Sequence, residues 1–189
     1  MSFNASHLKK LEDHATKCNN ILLSLHEGCN PYYTKKEREK WGIEDDYGGI
    51  TGTILPGHMM RFAEILLLGK VVDHSSQEVN TASTELAEDF RLTQGNSIFC
   101  DIGCGTGRPS FYFAGLDIKC SLGFDVSAIQ ILNSIAGHDR LLKSPASSIQ
   151  FACPVSLFKL DAFNLNSLDP VTHAYAFIGK CQATILSNN

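Results

Sequence analysis

The sequence predicts an α/β fold, in which a helical region over residues 1–94 precedes a parallel-sheet domain over residues 95–189. Three observations support this fold class. After residue 95 short apolar runs alternate with helical stretches, as in a sheet built from strand–helix–strand units. Three of those runs are followed by an aspartate, and a glycine-rich turn follows the first. The composition, 43% hydrophobic and 19% charged, is that of a globular protein.

The N-terminal region contains one clear amphipathic pattern and one glycine-rich loop. Helical spacing over 7–25 predicts a helix with the apolar face Leu8, Leu11, Ala15, Cys18, Leu22 and Leu25. Four glycines over 41–52 indicate a loop, which contains Tyr47 and Thr51. Pro56 opens a second predicted helix over 57–68, and Gly69 ends it. A polar linker over 73–80 and a third helix over 84–92 complete this region.

The C-terminal region is predicted to contain four strands and two helices. The strands cover 97–100, 120–124, 155–160 and 173–178, and the helices cover 109–114 and 127–142. Pro109 suits the first turn of its helix, where a missing N–H costs nothing. Ser127 is a residue type that caps helix N-termini.

Three acidic residues, Asp101, Asp125 and Asp161, directly follow the first three predicted strands. Parallel strands place their carboxyl ends at one edge of a sheet, where ligands bind in folds of this type. The turn after Asp101 contains Gly103, Gly105 and Gly107, whose missing side chains let a ligand approach the backbone. The next helix directs its N-terminal N–H groups toward the same place. The sequence therefore predicts a ligand site at this edge.

The segment from Asp101 to Gly107 resembles motif I of the class I methyltransferases, an apolar strand followed by Asp-x-Gly-x-Gly-x-Gly. The resemblance implies a Rossmann-like sheet that binds S-adenosyl-L-methionine. By this resemblance, Asp101 would interact with the methionine end of the cofactor, and the three glycines would form the loop that binds the cofactor. Asp125 would bind the ribose hydroxyls, and Asp161 would bind the amino group of the adenine. Their neighbours Val126 and Ala162 would be further cofactor-binding residues.

Two alternatives compete with this interpretation. Nicotinamide enzymes use a similar Gly-x-Gly-x-x-Gly turn, but Arg108 stands where that pattern requires its third glycine. Asp101 also precedes the glycines, as the methyltransferase pattern requires. A Rossmann-like scaffold that binds nothing would not by itself need acids at three strand ends. The pattern thus favours a methyltransferase over a dinucleotide enzyme.

The loop from Asp46 to Thr51 is similar to the Tyr-Gly-Glu loop of the disruptor-of-telomeric-silencing family, the non-SET histone lysine methyltransferases. That resemblance implies that Tyr47 and Thr51 cover the cofactor, that Tyr47 lines the methyl-transfer channel, and that the substrate is a histone. Gly49 departs from the family's glutamate, and the Asn-Asn pair at 188–189 lacks flanking aromatics and receives no role. Tyr47 as an ordinary turn aromatic, and an RNA or small-molecule substrate, remain alternatives.

The net charge and the cysteines of the chain give expectations about its binding partners and its cellular compartment. The net charge of −4 does not indicate a nucleic-acid partner and is compatible with a basic protein substrate. The apolar run 65–68 is too short to cross a membrane, and no signal peptide is recognisable. We therefore expect a nuclear or cytoplasmic protein with reduced thiols. His14, Cys18, His26 and Cys29 match no zinc spacing, so no metal site is predicted.

The predicted sheet is shorter than that of a complete class I methyltransferase, which has seven strands. We expect four strands, and therefore either a shortened chain or a partner chain that completes the sheet. A non-catalytic cofactor-binding module is the corresponding alternative to an enzyme.

Overall fold

The computed structural model describes residues 2–26, 54–71, 84–85, 90–144 and 149–176. Within these ranges four α-helices, six strands and a short 3-10 turn form the fold. In chain order they are α1 (Ala5–His26), α2 (Pro56–Leu68), β1 (Lys70–Val71), β2 (Thr84–Glu85), β3 (Ile98–Ile102), α3 (Arg108–Phe113), β4 (Cys120–Asp125), α4 (Ala128–Lys143), β5 (Val155–Lys159), the 3-10 turn (Ala162–Asn164) and β6 (His173–Ala176).

The central sheet has four strands in the order β5-β4-β3-β6, and every neighbouring pair is parallel. The chain starts in the middle of the sheet at β3 and proceeds outward through β4 to β5. It then crosses to the other side of β3 and pairs there as β6. This reversal creates a switch point between β3 and β6, as in doubly wound α/β folds. The predicted α/β class with four parallel strands is confirmed, and the sheet is compatible with a Rossmann-like fold.

One hydrophobic core joins the N-terminal helices to the sheet. Phe99 of β3 stacks on Phe113 of α3 with ring centroids 4.0 Å apart. Helix α1 packs on α3 and α4, and its predicted apolar positions Leu11, Ala15, Cys18 and Leu22 are buried in the same core. Residues from both predicted regions therefore exclude water from the same interior.

Helices α1 and α2 pack against each other. Helix α1 starts near the amino end of β3, where Ser2 forms an antiparallel bridge with Thr93. Helix α2 ends near that same end, because the Leu66 carbonyl accepts a hydrogen bond from the Leu92 amide at 2.8 Å. Asn19, near the end of α1, bonds to Arg108 at the start of α3, so α1 extends toward the edge where the strands have their carboxyl ends.

The prediction of a third N-terminal helix over 84–92 is wrong for the residues of this range that the structure describes. Thr84 and Glu85 form a strand paired antiparallel with Lys70 and Val71. Backbone pairing with residues 13 and 15 positions earlier in the chain overrides the weak local helical pattern of this polar stretch. No helix within the described ranges is both long and apolar enough to span a membrane.

Candidate functional site

The glycine loop after β3 is held by backbone hydrogen bonds to the neighbouring strand. The amides of Gly103 and Cys104 both donate to the carbonyl of Phe124 in β4, at 2.9 and 3.0 Å. The Gly107 amide then donates to the Cys104 carbonyl at 2.7 Å, closing the turn that leads into α3. The loop is therefore fixed to the carboxyl end of the sheet.

Gly107 is the position where the loop most clearly requires glycine. Its φ of 78° lies in the left-handed region. A Cβ atom there would lie 3.1 Å from the ring of Phe111 and 3.2 Å from the Cβ of Ser134. Both the backbone conformation and the packing therefore exclude a larger residue without adjustment.

Asp125, the last residue of β4, connects the glycine loop to the start of α4. Its Oδ2 atom accepts a hydrogen bond from the Gly105 amide at 2.9 Å, and its Oδ1 accepts from the Ser127 amide at 2.8 Å. Ser127 occupies the predicted N-cap position, but its side chain makes no capping bond. Each carboxylate oxygen can accept a further bond, so Asp125 remains able to bind ligand hydroxyls.

Asp101 is a buried carboxyl group at the base of this loop, with 2% of its surface exposed. Its Oδ2 atom has no hydrogen-bond partner among the described residues. Burial, and secondarily the charge of Asp125, raise the pKa of Asp101 well above its ordinary value. A buried acceptor without a donor is costly, and such groups are concentrated at ligand sites.

Asp101 also lies at the switch point of the sheet. In the parallel register between β3 and β6 its partner is Tyr175. The Tyr175 ring packs against Phe62 of α2, with centroids 5.1 Å apart. Burial, together with the charge of Asp101, raises the pKa of Tyr175. Tyr175 was not among the predicted site residues, because its place beside Asp101 depends on a pairing across 74 positions.

Asp161 follows β5, on the other side of β4 from Asp101. It caps the 3-10 turn, with Oδ1 accepting from the Phe163 amide at 3.0 Å and Oδ2 from the Asn164 side chain at 3.2 Å. The Leu160 amide donates to the Asp125 carbonyl at 2.9 Å, so the ends of β4 and β5 are joined. Thus the three acids lie at or close to the carboxyl ends of three adjacent parallel strands.

The remaining predicted site residues divide into two groups. Val126 and Ala162 are half-buried at the same carboxyl edge, next to Asp125 and Asp161. Tyr47 and Thr51 lie outside the described residues, and so does the rest of the loop from Asp46.

Arg108, noted in the sequence only as a departure from the dinucleotide pattern, is a buried cation next to the glycine loop. It is 2% exposed, and its Nη1 atom donates to Oδ1 of Asn19 in α1 at 2.7 Å. The Tyr112 hydroxyl donates to the same oxygen at 3.3 Å. The available sequence signal was a single charged residue at the start of a short, mostly apolar helical stretch.

The cysteines of the described core are poorly suited to nucleophilic chemistry. Burial raises the pKa of Cys18, Cys100 and Cys153 to about 12, and that of the loop residue Cys104 is raised as well. These thiols are therefore protonated at neutral pH, and the thiolate is the reactive form.

The histidine and cysteine on the buried side of α1 are engaged in packing contacts. His14 Nε2 lies 3.0 Å from the Phe111 carbonyl oxygen and 3.5 Å from the Cys18 sulfur. Among the residues that the structure describes, no three potential ligands gather in a way that could hold a metal ion. Cys29 and the side chain of His26 lie outside the described part.

Comparisons with protein-family models, with curated proteins and with solved structures found no match for this chain. The fold and the site define an α/β protein with a four-stranded parallel sheet and an acid-lined glycine loop at its switch point.

Proposed function

We propose that the chain binds S-adenosyl-L-methionine at the glycine loop and acts as a methyltransferase. The observation that carries this proposal is Asp101, a buried carboxyl group with an unpartnered oxygen at the base of the loop. A ligand that brings a cationic amino group to this oxygen would compensate the cost of its burial. The amino-acid end of S-adenosyl-L-methionine carries such a group, whereas a nicotinamide dinucleotide presents a pyrophosphate.

The residues present fit the rest of this cofactor. Asp125 retains acceptor capacity for ribose hydroxyls at the end of β4. Asp161 and Ala162 lie at the end of the adjacent strand, where the adenine would bind, and Val126 would line the same pocket. The order of Asp101, Asp125 and Asp161 across β3, β4 and β5 matches the order of methionine, ribose and adenine along the cofactor.

The bound cofactor would supply a sulfonium centre whose methyl group is open to in-line displacement. The contribution of the chain is then mainly orientation: the loop and the three acids fix the cofactor in one pose. A lysine acceptor must also lose a proton before it attacks, and no described residue is assigned as that base. Tyr47 is our candidate for lining the transfer channel, with Thr51 beside it over the cofactor.

The proposed acceptor is a protein lysine, with histones as the first substrate class to test, in the nucleus or cytoplasm. This part of the proposal depends on the Tyr47–Gly48 resemblance and on the acidic net charge of −4. Radiolabelled methyl transfer onto histones, RNA and a cell lysate would identify the acceptor. Labelling of RNA alone would contradict a protein substrate, and cofactor binding without transfer to any acceptor would identify a non-catalytic module.

The cofactor assignment is tested by calorimetry with S-adenosylhomocysteine, S-adenosyl-L-methionine and NAD. We expect the protein to bind the first two and not NAD. Asp125→Ala should weaken binding at least about tenfold, because it removes a charged acceptor from two ribose hydroxyls. The control is Asp139→Ala, which removes an exposed aspartate that forms a salt bridge with Lys143 on α4. Undiminished affinity in Asp125→Ala, or preference for NAD, would overturn the assignment.

A further inference from the structure

The guanidinium of Arg108 is held in the interior by very few acceptors. Its Nη1 atom bonds to Asn19 Oδ1, while Nε and Nη2 have no hydrogen-bond partner among the described residues. An ionised group without water needs acceptors, and losing one of so few costs far more than losing an ordinary hydrogen bond. The position of the Arg108 side chain therefore depends strongly on Asn19.

Asn19 itself is 8% exposed and belongs to α1, a helix remote in sequence from the glycine loop. Asparagine is an unfavourable residue for a helix interior, so helix formation does not account for it. Its side-chain oxygen also accepts from Tyr112 at 3.3 Å. Burial raises the pKa of Tyr112 to about 12, so this hydroxyl stays protonated and keeps donating. One oxygen of α1 thus receives bonds from both ends of the first turn of α3.

Arg108 directly follows Gly107, the last residue of the glycine loop. Gly107 has little freedom to shift, because the space next to its Cα is closed by Phe111 and Ser134. A displacement of Arg108 would therefore be transmitted to the loop backbone instead of being absorbed in a void.

We propose that Asn19 is a positioning residue for the glycine loop: it anchors Arg108, so that α1 controls ligand affinity without contacting the ligand. The inference rests on the proposed function for its binding readout. Its effect on the loop is also measurable without any ligand, which allows the two proposals to fail separately.

The primary test compares Asn19→Leu with Ala15→Gly by hydrogen exchange and calorimetry. Leucine matches asparagine roughly in size and favours helix, so it removes the acceptor without weakening α1. Ala15 is buried one turn earlier on the same face, and glycine there destabilises α1 without touching the Arg108 contacts.

In the ligand-free protein we expect Asn19→Leu to accelerate exchange of the amides over 103–108 roughly tenfold, relative to Ala15→Gly at matched global stability. Its dissociation constant for S-adenosylhomocysteine should rise roughly 5- to 100-fold, while that of Ala15→Gly stays within about twofold. Equal loop exchange in the two variants would overturn the inference. A wild-type protein that does not bind S-adenosylhomocysteine would overturn the proposed function, and the exchange comparison would still decide the role of Asn19.

A double-mutant cycle with Arg108→Met tests whether Asn19 acts through Arg108. Removing both polar partners replaces the buried contact with apolar packing, so the double variant should fold even where Asn19→Leu alone does not. In the Arg108→Met background we expect Asn19→Leu to change loop exchange by less than about twofold. Additive effects of the two substitutions on the exchange of the loop amides would overturn the proposal.

Asn19→Asp provides the conservative rescue. It keeps an oxygen acceptor opposite Arg108 and adds a complementary charge. We expect the amides over 103–108 to exchange no faster in Asn19→Asp than in the wild-type protein. Exchange as fast as in Asn19→Leu would contradict an anchoring role.

Discussion

At the scale of single residues, Asp101 shows how a carboxyl group suited to binding a ligand can destabilise the ligand-free fold. Its pKa is raised in the folded chain, mainly by burial. A carboxyl group whose folded pKa exceeds its unfolded value favours folding when protonated, and this contribution is lost as pH rises through the folded pKa. The ligand-free protein should therefore be destabilised by Asp101 at neutral and alkaline pH.

We accordingly predict that Asp101→Asn raises the unfolding temperature at pH 8 by a few degrees, since 1 kcal/mol corresponds to about 2–4 °C in a protein of this size. The gain should be smaller at pH 5, where the wild-type carboxyl is more protonated. Binding of S-adenosylhomocysteine should weaken at the same time. Asp139→Asn, at an exposed site, is the control for thermal unfolding. An unfolding temperature of Asp101→Asn below that of the wild type at pH 8 would contradict the prediction.

Two glycines of the same loop separate the effect of backbone conformation from that of packing. Gly103 and Gly107 have nearly equal φ values, 72° and 78°, but of the two only Gly107 has neighbours within 4 Å of the point where an added Cβ atom would lie. Gly103→Ala should therefore cost about 1–2 kcal/mol for the left-handed conformation alone. Gly107→Ala should cost about 1–3 kcal/mol more, because Phe111 and Ser134 must move. Urea unfolding measures both free energies, and equal losses would refute the packing argument.

At the scale of elements, the sequence was informative wherever a local pattern determined the structure. The apolar spacing of Leu11, Ala15 and Cys18 predicted α1, and short apolar runs predicted the four strands. The acids at strand ends predicted the edge of the sheet where the site lies. A strand such as Thr84–Glu85 exists only through its partner, so no local pattern reveals it.

The side-chain contacts between elements were beyond prediction for the same reason. Asn19 and Arg108 are 89 positions apart, and neither residue type indicates the other. Asp125 could be assigned to the site from its place after a strand, but its bond to the Gly105 amide depends on the exact geometry of two loops. A sequence pattern can locate such a site, whereas its internal connections follow from the folded arrangement.

The packing of α1 and α4 around α3 should make the protein sensitive to acid. His14 lies against the Phe111 carbonyl, and the His138 ring stacks on Phe151 with centroids 5.3 Å apart. Burial lowers the pKa of both histidines, with Lys17 contributing at His14 and Asp139 opposing at His138. A lowered folded pKa means that stability is full above the unfolded value of about 6.5 and is lost as pH falls through it.

We therefore predict that the unfolding temperature falls between pH 7.5 and 5, and that His14→Gln reduces this decrease. Glutamine can donate a hydrogen bond toward the Phe111 carbonyl but takes up no proton in this range. His7→Gln is the control, since His7 lies in the first turn of α1, about two turns before His14. The same acid response in His14→Gln and the wild type would exclude His14 as its source.

At the scale of the whole molecule, the shared core makes α1 part of the structure that supports the site. Leu11 of α1 and Phe99 of β3 are both fully buried in one cluster. A helix that merely covered the sheet could detach while the sheet remained folded. A helix that shares the core should instead unfold together with β3 and β4 in one transition.

Leu11→Ala tests this cooperativity. Removing a buried leucine side chain should lower the free energy of unfolding by about 2–5 kcal/mol. If the core is one unit, the slowest-exchanging amides of β3 and β4 should lose protection by the same free energy, although they are in a different element. Leu132→Ala, on the exposed side of α4 at 57% exposure, should leave both quantities nearly unchanged. Retained protection of β3 in Leu11→Ala would show that α1 unfolds independently, and α1 could then not transmit its position to the glycine loop in the way that Asn19 and Arg108 indicate.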